Sequence, residues 1–350
     1  MRQPILTIAH SVPSWPRIVV YACMAASFAG AGIAQAQAPQ GSVVGWGSQV
    51  AGADLRRGFA AVATGGNGHF HTFSLGLKTD GSIVAWGYND SGQVIVPEPN
   101  TGFVAIAAGE RHSLGVKTNG AVLGWGYNSA GQINVPLPNI GFVAVAAGRA
   151  HSLGLKADGS IVGWGSNTSS QTSVPGPNEN FVAIAAGWTH SLGLKADGSI
   201  VAWGSNGSGQ TNVPVPNTGF IAVAAGGDRS LGLKSDGSIV AWGYDGYELA
   251  NLPTPNEGFV GIATGESHSL ALKKDGSVVA WGVNPSYPIH APAPNANFIS
   301  IAASGDFYTP HSLGLKADGS IVTWGRDDSI IPSPNADFVA VAAGRDLLLP

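Results

Sequence analysis

The dipeptide Trp-Gly returns eight times along this chain, at Trp46, Trp86, Trp125, Trp164, Trp203, Trp242, Trp281 and Trp324. Five consecutive steps are 39 residues; the outer two are 40 and 43. Self-similarity at such a period marks a repeat architecture, in which each unit buries its apolar surface only against its neighbours. The unit from Phe181 to Gly219 shows no helical periodicity. It holds three short β-like runs: Phe181 to Ala186, His190 to Lys195 and Ser199 to Trp203. Asp197-Gly198 joins the second and third runs, and a two-residue type I′ turn is expected there. The same turn recurs at Asp80-Gly81, Asn119-Gly120, Asp158-Gly159, Asp236-Gly237, Asp275-Gly276 and Asp318-Gly319. The stretch after Trp-Gly ends in Val-Pro-x-Pro-Asn. Prolines lack the donor that a central strand needs, so this stretch is an extended outer connection.

Alternation within the runs predicts how the units pack. In Val182-Ala183-Ile184-Ala185 one strand face is bulky and the other small, and Leu192-Gly193-Leu194 repeats the contrast. Neither face is charged, so both are buried, and a large face can stack on the small face of the next copy. Repeated about an axis, this gives an all-β fold, a β-propeller of three-stranded blades; an open solenoid is the alternative. The chain ends favour closure. Gln40 to Gly47 is a third strand alone, and Phe338 to Gly344 is a first strand followed by a degraded second. Shared in one blade, they would cover each other's edges and bring the count to eight blade equivalents.

Composition narrows the function. The chain has 350 residues with 44% hydrophobic, enough for a core despite 51 Gly and 22 Pro. Its 17 Lys and Arg against 21 Asp and Glu give a net charge of −4 without any basic run, which argues against nucleic acid. Cys23, the single cysteine, excludes a disulfide framework and a cysteine-based zinc site. It lies in an apolar stretch, Ile18 to Ala34, behind Arg2 and Arg17 and ahead of Ala34-Gln35-Ala36. Residues 1–36 are therefore expected to be a cleaved signal peptide, with 37–350 a single domain, secreted or periplasmic and without a membrane span. Loss of Arg2 and Arg17 takes the net charge from −4 to −6.

The repeated residues carry a family resemblance. Ala107-Ala108-Gly109, His112-Ser113-Leu114, Asn119-Gly120, Trp125-Gly126 and Gly131-Gln132 resemble the signature of the regulator-of-chromosome-condensation repeat superfamily. The match runs over about residues 41 to 346. The short unit looks more like the secreted bacterial β-lactamase inhibitor protein II branch, which has three-stranded blades. The resemblance implies a propeller, usually of seven blades, where this sequence counts eight. It implies activities as different as nucleotide exchange on a small GTPase, chromatin binding and enzyme inhibition by surface contact. Fold alone does not choose among them; a signal peptide weighs against exchange on a cytosolic GTPase.

No catalytic constellation stands out. His112, His151, His190, His268 and His311, with Phe73 and Arg229 at equivalent positions, sit one per unit, so they cannot converge on a metal or a substrate. They are expected to be structural, bonding backbone between blades. Each Trp is expected to pack between blades, and Lys78, Lys117, Lys156, Lys195, Lys234, Lys273 and Lys316 to form a solvated ring at one rim. The sequons at Asn89, Asn167 and Asn206 read as incidental. Neither an enzyme activity nor a cofactor is expected. Departures from the consensus say more. If the first strand runs upward, the loops after Ala-Ala-Gly and the exits after Trp-Gly share an upper face. That face would hold Trp188, Arg111, Arg149, Tyr247, Tyr287 and two insertions carrying His69 with Phe70, and Phe307 with Tyr308. Variable aromatic and charged loops on a rigid scaffold form a recognition surface. The expected function is a monomeric, exported binding protein for a protein or cell-surface ligand. A carbohydrate-binding module is the second reading.

Overall fold

The computed structural model describes residues 59–65, 73–78, 80–87, 89–246, 251–282, 289–303, 311–318 and 321–325. Among them every regular element is a β-strand, arranged as seven antiparallel three-stranded sheets in sequence order. The fourth sheet is typical: Phe181–Ala186 innermost, His190–Lys195 in the middle and Ile200–Gly204 outside. Successive inner strands pack on one another, and each middle strand packs on the next sheet's inner strand. The expected signal segment 1–36 and the expected strands at 41–47 and 338–344, on which the closure reading rests, lie outside the described residues. Among the described residues no helix is long and apolar enough to cross a membrane.

The large-on-small packing read from the alternation is what the sheets do. Between the second and third sheets, Ala105 and Ala107 join Leu114, Val116 and Val122 to form one wall. Phe142, Val145 and Trp164 of the third sheet fill it. The same set recurs at the next interface with Ala144, Ala146, Leu153, Leu155 and Ile161 against Phe181, Ile184 and Trp203. The core is thus a series of inter-sheet layers, each with a buried Trp as expected. A β-bulge after the first Phe of each inner strand, such as between Phe181 and Ala183, offsets the ladder by one residue. That leaves Val143 and Val182 exposed.

The hairpin turns differ from expectation. A type I′ turn needs positive φ at both central residues. Here the glycines have it, Gly198 at +80°, but none of the preceding Asp or Asn residues does. Gly198 N donates to Lys195 O (2.9 Å), and Lys195 N donates to Ser199 O (2.8 Å). This is a three-residue loop closed by a left-handed glycine. The Asp197 carboxylate accepts from Ser199 N (2.9 Å) and Ser199 Oγ (2.6 Å), so the Asp holds the loop through its side chain. These bonds draw the Asp197 carboxyl below its usual pKa. Gly198 O then accepts from Phe220 N of the next sheet (2.9 Å).

The outer connection behaves as read. Its terminal Asn clamps the start of the outer strand at two points: Ile200 N donates to Asn217 Oδ1 and Asn217 Nδ2 donates to Ile200 O, both at 2.8 Å. The same pair of bonds is made by Asn100, Asn139, Asn178, Asn256 and Asn295.

Candidate recognition face

Two kinds of loop share a face, and backbone contacts establish it. Tyr127 N, at the exit of an outer strand, donates to Arg111 O in the loop between inner and middle strands (2.8 Å). Ser166 to Ala150, Ser205 to Thr189 and Tyr244 to Asp228 repeat the bond. The upper face inferred from strand direction is therefore real. The Asp-Gly turns lie at the other end, beside the next sheet's inner strand.

Beneath this face the repeated polar side chains bond from sheet to sheet, leaving Nδ1 of His112, His151 and His190 buried without a hydrogen-bond partner. His151 Nε2 lies 3.0 Å from Ser191 Oγ of the following sheet. Ser191 Oγ donates to Gln171 O (2.8 Å), and Trp203 Nε1 donates to that same carbonyl (2.9 Å). The single Ser191 proton is thus committed, so His151 Nε2 carries the hydrogen and Nδ1 holds the lone pair. Identical chains run through His112–Ser152 and His190–Ser230. The histidines are structural and act between sheets as expected, but the bond they repeat is to a serine hydroxyl of the next sheet, with the Arg229 backbone also acting on the His190 ring. The Ser–His pair forms across sheets and not within a strand. It is no nucleophile, since both side chains are buried and the hydroxyl faces a carbonyl. Burial lowers the imidazole pKa values to about 4 for His112, about 3 for His151 and about 4 for His190. All three are neutral at pH 7.

The fifth sheet replaces this histidine by Arg229, which is buried. Its guanidinium donates to Glu266 O (2.8 Å), Thr264 Oγ1 (3.3 Å) and Ser269 Oγ (3.5 Å) of the sixth sheet, and to Tyr244 O (3.5 Å). Burial lowers its pKa to about 10, opposed by Asp245, Glu266 and Tyr244, so the cation persists at neutral pH.

The lysines depart from expectation. Lys117, Lys156, Lys195, Lys234, Lys273 and Lys316 lie at the lower rim but are half-buried, not a solvated ring. Lys195 Nζ lies over the Phe181 ring at 5.0 Å and donates to Pro177 O (3.1 Å). Six described sheets repeat the cation–ring contact, from Lys117 over Phe103 to Lys316 over Phe298. The sequon asparagines are loop caps: Asn206 Oδ1 accepts from Thr211 N (3.1 Å) and Asn206 Nδ2 donates to Asn212 Oδ1 (2.8 Å). Asn128, which heads no sequon, does the same work. Their repetition is structural.

On the upper face the equivalent positions after Ala-Ala-Gly or its variants are Glu110, Arg149, Trp188, Gly227 and Glu266. Arg149 Nε donates to Glu110 Oε2 at 2.7 Å, and Arg149 Cζ lies 5.9 Å from the Trp188 ring centre. Arg111 Cζ lies 5.0 Å from the Tyr127 ring centre. Trp188, Tyr127 and Tyr244 are each about two-fifths exposed, at 39%, 40% and 41%. A scaffold Trp such as Trp203 is at 5%. Three of the residues expected from sequence, Arg111, Arg149 and Trp188, therefore meet on this face. His69, Phe70, Tyr247, Tyr287, Phe307 and Tyr308 lie outside the described residues. Glu110, Tyr127 and Tyr244, which strand direction also assigns to this face from the sequence, lie on it as well.

Stacked three-stranded sheets with inner strands packed in succession define a β-propeller fold. Solved structures with this fold superpose on the chain. The CRINKLY WD40 ectodomain of the Arabidopsis thaliana receptor kinase ACR4 does so with a TM-score of 0.62 at 24% identity, covering 80% of this chain and 99% of that one. The entire ectodomain of the Physcomitrella patens receptor kinase CR4 gives 0.61 at 21%, covering 77% and 74%. Prp20p from Saccharomyces cerevisiae gives 0.55 at 20%, covering 67% and 74%. No curated protein matches in sequence. The family model for the regulator of chromosome condensation (RCC1) repeat matches residues 103–132, 142–171, 181–210, 220–248 and 259–287. These five segments are RCC1 repeats, as the sequence resemblance implies.

Proposed function

We propose that this protein is an exported, non-catalytic binding protein that recognises a protein or cell-surface partner through its upper face. One observation carries the reading. The repeated His, Ser and Trp side chains are committed to bonds between sheets and the repeated Asn to clamping the outer strand of its own sheet, while the loop positions that differ from sheet to sheet present half-exposed aromatic and charged groups. Exposed Trp, Tyr and Arg on rigid loops are the residues that dominate binding energy. Proteins of this fold support a binding role in general terms: Prp20p has binding properties to Gsp1p and histones. Export rests on the apolar stretch before Ala36.

The test immobilises the mature chain and captures partners from the secretome of its own source. The partner should be retained by the native chain and lost by Trp188→Ala combined with Tyr127→Ala. Asp197→Asn, on the opposite face, should retain it. Equal retention by all three places recognition elsewhere.

A further inference from the structure

Two places on the upper face are built on the same frame and differ at one side chain. In the exit loop of the fourth sheet, Gln210 Oε1 accepts from Ser208 N (2.8 Å), which leaves Nε2 to donate to Asp228 Oδ1 of the fifth sheet (3.0 Å). Asp228 O accepts from Tyr244 N (2.8 Å). Between the first and second sheets, Gln93 Oε1 accepts from Ser91 N (3.0 Å), and Arg111 O accepts from Tyr127 N (2.8 Å). A Cβ on Gly243 would lie 2.5 Å from Asp228 O and 3.1 Å from Gln210 Cα. One on Gly126 would lie 2.8 Å from Arg111 O and 3.1 Å from Gln93 Cα, so the backbones meet in the same way. Arg111 therefore stands where the other frame has its acceptor, Asp228. Gln93 is fully buried and its Nε2 has no hydrogen-bond partner; Arg111 Nε is buried without one as well. The Gln93 amide cannot be turned to offer its oxygen, because Ser91 N would then face a second donor.

The inner edge of this guanidinium is closed, and its outer end is not. Arg111 is only half-buried, and its terminal nitrogens are not enclosed as Nε is. Its Cζ lies 5.0 Å from the ring centre of the exposed Tyr127, which holds the guanidinium at the surface. The neighbouring carboxylate, Glu110, is bonded to Arg149 (2.7 Å). Among the described residues no ion pair engages Arg111. We infer that this fork binds a carboxylate side chain of the partner protein, through two parallel N–H···O bonds from Nη1 and Nη2. Nothing inside the fold competes for the fork, since the side chain behind it, Gln93, presents a second donor. This rests on the upper face being the recognition face, and the experiment separates the two claims.

A random linear peptide library is displayed on phage and selected against the full chain. Enriched peptides should share one Asp or Glu. In a synthetic copy of the best binder with an amidated C-terminus, replacing that acid by its amide should weaken binding at least tenfold, about 1.4 kcal/mol. On the protein, Arg111→Asp should weaken the same peptide at least tenfold. It also gives Gln93 Nε2 the acceptor that Asp228 gives Gln210, so the melting temperature should hold or rise; a fall would mark Arg111 as a packing residue and overturn the site. Arg111→Lys keeps the charge without the fork and should bind between the two. Peptides that depend on Trp188 or Tyr244 but need neither an acid nor Arg111 overturn the carboxylate site and leave the recognition face standing. Peptides indifferent to every upper-face substitution, or no enrichment at all, overturn both.

Discussion

At the lower rim, Lys117, Lys156, Lys195, Lys234, Lys273 and Lys316 each lie over the Phe that opens their own sheet. At the upper face, five equivalent positions hold Glu110, Arg149, Trp188, Gly227 and Glu266. One end of the sheets repeats a single contact; the other never repeats a side chain twice in succession. Uniformity marks residues that the stacking itself needs, since each sheet must fit the next in the same way. Where stacking makes no demand, side chains are free to differ, and there the aromatic groups are exposed.

The largest effects are expected in the interior layers that both ends share. Trp203 fills the small-walled side of the third sheet and donates to Gln171 O. Trp203→Ala should cost about 3–5 kcal/mol, as large aromatic truncations in cores do, read as a fall in the denaturant midpoint. Acid acts on the same layers. The imidazoles of His112, His151 and His190 hold folded pKa values of about 4, 3 and 4 against an unperturbed 6.5. The unfolded chain therefore binds protons first as pH falls. Stability should be full above about 6.5 and decline as pH drops toward 4. Hydrogen exchange at pH 5 should show the interfaces joined by these histidines loosening before the one joined by Arg229, whose charge does not change in that range. Uniform loosening would contradict the assignment.

Much of this layering is legible in the sequence, and the parts that are not share a cause. The bulky and small alternation of Val182 to Ala185 is local, and so are Asp197-Gly198 and Trp203-Gly204. Strands, stacking and the face carrying Trp188 follow from them. The partner of His151 is Ser191, 40 residues away, whereas the serine adjacent in sequence, Ser152, serves the preceding sheet's His112. Asp-Gly does not fix the turn type, because it serves both a two-residue turn and a longer loop in which the glycine alone takes positive φ. Lys195 reads as solvated because nothing in its sequence neighbourhood reveals that the Phe181 ring and Pro177 O lie beneath its ammonium.

Smaller effects separate the two ends further. Gly198→Ala must place a Cβ 3.0 Å from Gly219 N at positive φ. It should cost about 1–2 kcal/mol, the usual penalty of left-handed backbone. Lys195→Met keeps most of the apolar stem and removes the charge over Phe181. About 0.5–1 kcal/mol should be lost, as for an exposed cation–π pair, and chemical denaturation at fixed pH resolves both.

Trp188→Ala should have the smallest effect on stability, within about ±0.5 kcal/mol, yet it bears most directly on recognition by the upper face. The measurement pairs its melting temperature with its affinity for the partner captured by the native chain. The melting temperature should be unchanged and binding weakened by about 2 kcal/mol or more, roughly thirtyfold. A variant that melts several degrees early and binds as tightly as the native chain would make Trp188 one more packing residue, and the divergence of the upper face would no longer point to recognition.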